Sequence, residues 1–90
     1  MNTWDEAKRA LNLHDHQIDL ADCETVFDLP IISKEDKRQD YGECRMQSLG
    51  MLHGQVVFAV WVERPTGAHL ISVRKALKHE QRYYFSNVNF

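Results

Sequence analysis

The sequence predicts an α+β fold: two N-terminal helices packed on an antiparallel sheet of about four strands, with a short C-terminal helix. Three observations carry that expectation. Apolar residues recur at helical spacing in two segments before residue 30. Runs of strand length, alternating or continuously apolar, fill residues 43–76. Between them stand the turn signals "HG" at 53–54 and "RPTG" at 64–67. A length of 90 residues predicts a single domain spanning 1–90. A chain of that size buries ~60–65% of the surface its unfolded form exposes, which is one modest core.

Each element has its own signal. "TWDEAKRALNL" opens the first helix, with Thr3 and Glu6 at capping-box spacing and Asp5 as an alternative N-cap. Ala7 and Leu11 share one face, and Asn12 lies near the end. "DLADCETVF" predicts the second helix, capped by Asp19, with Leu20, Cys23, Val26 and Phe27 as its apolar stripe. Pro30 ends it by excluding Leu29 from helical geometry. "IISKED" is a weak strand. "ECRMQSLGML" alternates, with Glu43, Arg45 and Gln47 on one side and Cys44, Met46 and Ser48 on the other. "QVVFAVWVE" is apolar on both faces and therefore central, with Val57, Ala59 and Trp61 facing the core. "AHLISVRKA" is the last strand, "LKHEQRYYF" a terminal helix or turn, and "SNVNF" a tail.

Composition narrows the class. The hydrophobic fraction of 43% and charged fraction of 27% are those of a soluble globular protein. "MNTWDEAKR" turns polar at once, with no apolar run of a secretory leader, and no window reaches transmembrane length. Cys23 and Cys44 are widely spaced and outside any metal-like pattern, which predicts reduced thiols in a cytoplasmic protein. The net charge of −2 hides an asymmetry. Up to residue 43 there are eleven acids against five bases; beyond it, two acids against six bases. A basic face on an acidic protein suits a polyanionic partner.

Five stretches occur in order: "WDEAK" at 4–8, "VFDLP" at 26–30, "DYGECR" at 40–45, "ER" at 63–64 and "ISVRKA" at 71–76. In these the chain resembles the BrnT family, the toxin half of a bacterial type II toxin–antitoxin pair, from Trp4 to about Tyr84. The resemblance implies a fold similar to RelE-type ribonuclease toxins and cleavage of RNA without a metal or cofactor. It also implies a BrnA-like antitoxin with a ribbon-helix-helix domain, with operator DNA bound only through the antitoxin; a twofold antitoxin dimer presenting two equivalent tails would then bind two toxins, a heterotetramer. The chain departs from the family pattern at Asp15 before His16, at His69 before "LIS", at "DLP" and at Leu77. The first two remove positive charges from the expected RNA-facing set. They keep open an alternative, a catalytically weakened homologue acting as an antitoxin-binding operon co-repressor. A third reading is a non-enzymatic nucleic-acid-binding module.

Metal-free cleavage uses the substrate's 2′-OH as nucleophile and needs a base, an acid and cations around the phosphorane. Arginine suits the last role, being planar, always charged and able to hold two oxygens. Arg64 and Arg74 are the expected catalytic arginines. Arg45, Lys75, Ser72 and Tyr83 are the expected substrate contacts, with Arg74 and Ser72 on one strand face. The resemblance makes His16 the candidate base, and an unperturbed imidazole near ~6.5 suits either proton-transfer role. Glu63 or Glu43 could serve instead, and Tyr41 or Tyr84 could stack or donate. His14 and His16 lack a third ligand at suitable spacing, so no metal is expected. Trp4, Phe58 and Trp61 read as core.

Overall fold

The computed structural model describes residues 1–88. In chain order the elements are β1 (Thr3–Trp4), α1 (Glu6–His16), two 3-10 helices (Leu20–Asp22 and Glu24–Asp28), β2 (Ile32–Glu35), β3 (Arg45–Leu52), β4 (Gln55–Arg64), β5 (Gly67–Lys75) and α2 (Lys78–Asn87). The strands form one sheet in the order β1-β5-β4-β3-β2. β1 runs parallel to β5, and the other pairs are antiparallel.

Two parts of the expected fold class are corrected. Only one α-helix, α1, lies before β2. Leu20, Cys23 and Val26 recur every three residues, the period of a 3-10 helix rather than an α-helix. Cys23 and Val26 accordingly donate their backbone N–H to the carbonyls three residues back, at 3.2 Å each. The sheet is also mixed and five-stranded, because Thr3 and Trp4 pair in parallel with His69 and Leu70. Thr3 is therefore strand, and Asp5 caps α1, accepting from the backbone N–H groups of Ala7 and Lys8 at 2.8 and 3.2 Å. Asp19 caps the first 3-10 helix through Ala21 N–H and holds Arg9 by two bonds of 2.8 and 3.0 Å.

The sheet has two unlike faces. Its core face carries Ser48 and Leu52 from β3, Val57, Ala59 and Trp61 from β4, and Leu70 and Val73 from β5. Leu20, Cys23 and Val26 descend onto it from the 3-10 helices, with Trp4 and Phe27 packed around them. Phe27 meets the edge of Trp61 at 5.1 Å between ring centres. Burial pushes the Cys23 thiol up to about 12, so it sits there as a small hydrophobe. On the other face Arg45 lies over the Tyr41 ring at one end, Val60 and Val62 farther along are buried too, and α2 covers the opposite end. There Tyr84 is fully buried against Val56 and Ala76, and its hydroxyl donates to the Pro30 carbonyl at 2.6 Å. α2 includes Ser86 and Asn87, which the sequence placed in a tail; the last two residues of that tail lie outside the described residues.

Two local devices fix this arrangement. Between β3 and β4, His53 and Gly54 both have positive φ, 49° and 79°, the backbone of a type I′ hairpin turn. Beside β5, the amide of buried Asn12 accepts from Val73 N–H at 2.9 Å and donates to the Val73 carbonyl at 2.9 Å. It also donates to the Ile18 carbonyl at 2.8 Å. One side chain thus stands in for a neighbouring strand where β1 has already ended. Among the described residues no helix is long and apolar enough to cross a membrane.

Candidate functional site

The register of the antiparallel strands sorts the open face into cross-strand rows. At the far end from α2 lie Arg45, Val62 and His69. Next come Lys34, Gln47, Val60 and Ser72, then Ile32, Leu49, Phe58 and Arg74. α2 covers the row beyond. Between its first turns and the sheet lies an open cleft of about 470 Å³, with Leu49 and Phe58 on its floor and Lys34, Gln47, His79 and Tyr83 around it.

Arg74 is the central cation of this face. Its guanidinium lies over the Phe58 ring, 4.2 Å from the centre. Its two terminal nitrogens donate to the two oxygens of Glu80 at 2.9 and 3.0 Å. Glu80 also accepts from Leu77 N–H at 2.7 Å, closing the first turn of α2 where Leu77 has no capping side chain. The Arg74 bonds hold the Glu80 carboxyl below its ordinary value, against a smaller opposing effect of burial. Arg74 thus already has a carboxylate partner. Its Nε–H and one Nη2–H stay free of protein acceptors among the described residues, available to a phosphate oxygen.

The other expected site residues fall in three places. Tyr83 lines the cleft together with Phe58 and Glu80, the two partners of Arg74. Ser72 lies two residues before Arg74 on the same strand face and borders a shallow groove against α1, shared with His16, Lys8 and Asp15. Arg64 stands at the far end of β4, six residues or ~20 Å along the strand from the Arg74 row. It is half-exposed and 3.6 Å from Glu43, so Glu43 faces Arg64 rather than Arg45. Arg45, four residues or ~13 Å from the Arg74 row, lies over the Tyr41 ring at 4.0 Å. Its buried Nε has no partner among the described residues. Glu63 is exposed at the end of β4, on the strand side away from the open face, and Lys75 is exposed at the end of β5. Strand alternation thus puts Arg74 and Ser72 on one face, α2 sets Tyr83 in the cleft and α1 sets His16 in the groove beside Ser72, while Arg45, Arg64, Glu63 and Lys75 stand apart.

His69 occupies the departure noted before "LIS". It is hydrogen-bonded to Thr3 Oγ1 at 2.8 Å, and its pKa is lowered, first by burial and then by Arg64. Tyr84 is core and Tyr41 donates to Asp36, leaving Tyr83 as the exposed tyrosine. Phe58 faces the cleft, not the core cluster expected for it.

The sequence reading missed His79, Gln47, Lys34 and Glu80. A signal existed for one: His79 stands four residues before Tyr83, the spacing that puts two side chains on one helix face. Lys34 and Gln47 become neighbours only through strand register. Among the described residues, no three His, Cys, Asp or Glu side chains are grouped so as to hold a metal ion. The open face offers cations, two imidazoles and an aromatic floor, a set suited to a phosphodiester with attached bases. The family model described as "Ribonuclease toxin, BrnT, of type II toxin-antitoxin system" matches residues 4–80. No curated protein matches the chain.

Proposed function

The chain belongs to the BrnT family of ribonuclease toxins of type II toxin–antitoxin systems, and from that premise we propose that it cleaves RNA internally, without a metal, on the open face of its sheet. Its substrate class is RNA and its partner class a protein antitoxin. The observation that carries the finer reading is the position of Arg74. Its partners Phe58 and Glu80 line the recess that holds His79 and Tyr83, and Ser72, two residues before it on the same strand face, lines the groove that holds His16. Helices α1 and α2 thus bring one imidazole each toward a strand that carries the cation.

In this reading the 2′-oxygen bonds to phosphorus as the bond to the 5′-oxygen breaks. One imidazole takes the 2′-hydroxyl proton and the other protonates the departing 5′-oxygen. The products are a 2′,3′-cyclic phosphate and a free 5′-hydroxyl. Arg74 stabilises the phosphorane through the N–H groups Glu80 leaves free, and Ser72 donates to the same phosphate. Arg45 and Arg64 contact phosphates farther along the open face, Lys75 adds positive charge at the rim from the other side of β5, and Glu63 lies outside this set. The antitoxin is a ribbon-helix-helix dimer that masks the face with two acidic tails, giving a heterotetramer in the cytoplasm.

Incubation of pure protein with RNA in excess EDTA tests the mechanism. The expected products carry cyclic phosphate ends. Activity lost on chelation and restored by magnesium overturns metal independence. One observation favours the weakened-homologue reading: Glu80 already occupies both Arg74 terminal nitrogens. Expression without the antitoxin separates the two, since a weakened homologue leaves growth and bulk RNA intact.

A further inference from the structure

We propose that the cleft between α2 and the sheet is a base-reading pocket, which receives one unstacked nucleobase of the RNA and recognises it through Gln47. The inference rests on the reading of this face as RNA-binding and names what gives it sequence preference.

The walls suit a base rather than a phosphate. Phe58 and Leu49 make an apolar floor, and Tyr83, 56% exposed, stands at the rim. An aromatic floor and an exposed aromatic rim are what an unpaired base stacks against. The volume of about 470 Å³ falls in the ~300–1,000 Å³ range of pockets for small molecules. The phosphate-binding charge is beside the pocket, on Lys34 and Arg74, where a base inserted on its sugar would leave its backbone.

Gln47 is the reader. Its amide is half-buried and makes no hydrogen bond among the described residues, whereas the neighbouring polar groups Ser33, Ser48, Arg74 and Glu80 are all bonded. A half-buried amide beside an apolar floor keeps one donor edge and one acceptor edge unused. That pair matches adenine, which offers N7 as acceptor and its N6 amino group as donor; glutamine holds adenine through both. Gln47 is placed for this by strand alternation. It projects to the open face from the middle of β3, flanked by Lys34 and Val60, on a rigid strand rather than a loop.

Fluorescence anisotropy with short 2′-O-methyl RNAs, which cannot be cleaved by 2′-attack, tests the pocket independently of catalysis. Sequences would vary one base at a time. Wild type is expected to prefer adenine at one position by roughly tenfold. Gln47→Ala should reduce that preference below about threefold while remaining folded by circular dichroism. Tyr83→Ala should weaken binding to all sequences by roughly tenfold. Binding without base preference, or a preference that survives Gln47→Ala, overturns the pocket and leaves the RNA-binding face standing. A preference for a different base that vanishes in Gln47→Ala supports the pocket and overturns the adenine assignment. Absence of binding to any oligonucleotide overturns both the pocket and the RNA-binding reading of the face.

Discussion

At the scale of single residues, Arg74 has two employers. Its terminal nitrogens hold Glu80 and the Lys75 carbonyl, and its Nε–H and one Nη2–H have no protein acceptor among the described residues. Arg74→Ala should therefore cost both activity and stability. Loss of a transition-state donor lowers turnover by about 10²–10³-fold. Loss of the pair leaves the Glu80 carboxylate, 14% exposed, without its cation, at a cost of about 1–3 kcal/mol. Turnover assays and urea unfolding measure the two separately, and full activity at unchanged stability contradicts both roles. Arg64→Ala, at the far end of β4, is expected to lower turnover by less than about tenfold. The sequence made Arg74 legible because a charge interrupts an apolar strand. It could not reveal Glu80, since an ion pair between a strand and the following helix depends on how that helix folds back. Nor could it reveal Gln47, which meets the cleft only once α2 has folded back over the sheet.

At the scale of elements, α2 is fastened at its first turn and at its middle. Glu80 ties its first turn to β5, and Tyr84 ties its middle to the chain at Pro30. Glu80→Gln keeps the size of the side chain and removes the charge that attracts Arg74. The first turn of α2 should then open more often, raising amide exchange at Gln81 and its neighbours while Tyr84 stays protected. Equal exchange in both proteins would show that the latch is not what holds the turn. The strands were the legible elements, because alternation and the two hairpin turns are local properties. The second expected helix failed for an equally local reason: a repeat of three was read as one of 3.6. β1 was invisible because two residues carry no periodicity, and its partner lies 66 positions away.

At the scale of the whole molecule, acid sensitivity follows from groups distributed over the fold. His69 titrates lower in the folded protein than the ordinary 6.5, so the fold favours its neutral form. That contribution is present above about pH 6.5 and fades as pH falls. Asp19, Asp36 and Glu80 are held below their ordinary values of 3.8, 3.8 and 4.5, chiefly by hydrogen bonds from Arg9, Arg38 and Arg74. Their contributions persist until pH falls below that range and are then lost. The melting temperature should decline gently below pH 6.5 and steeply below about 4.5. His69→Gln should remove the gentle limb alone; a limb unchanged in that variant would assign it to other groups. The Asn12 amide has a consequence for how copies of the molecule can meet. A sheet grows only from a bare rim, and open-ended stacking needs two bare rims on every copy. Here the rim beside β5 is blunted, with a two-residue β1 over His69 and Leu70 and Asn12 bonded to Val73, while the longer β2 has no further strand beside it among the described residues. With one rim blunted, copies are expected to join in twos through β2 rather than to stack without end. Asn12→Ala would expose the second rim, and concentrated solutions followed by light scattering should pass from a small, fixed mass to particles that keep growing. A variant that stays at fixed mass would place the barrier to stacking elsewhere.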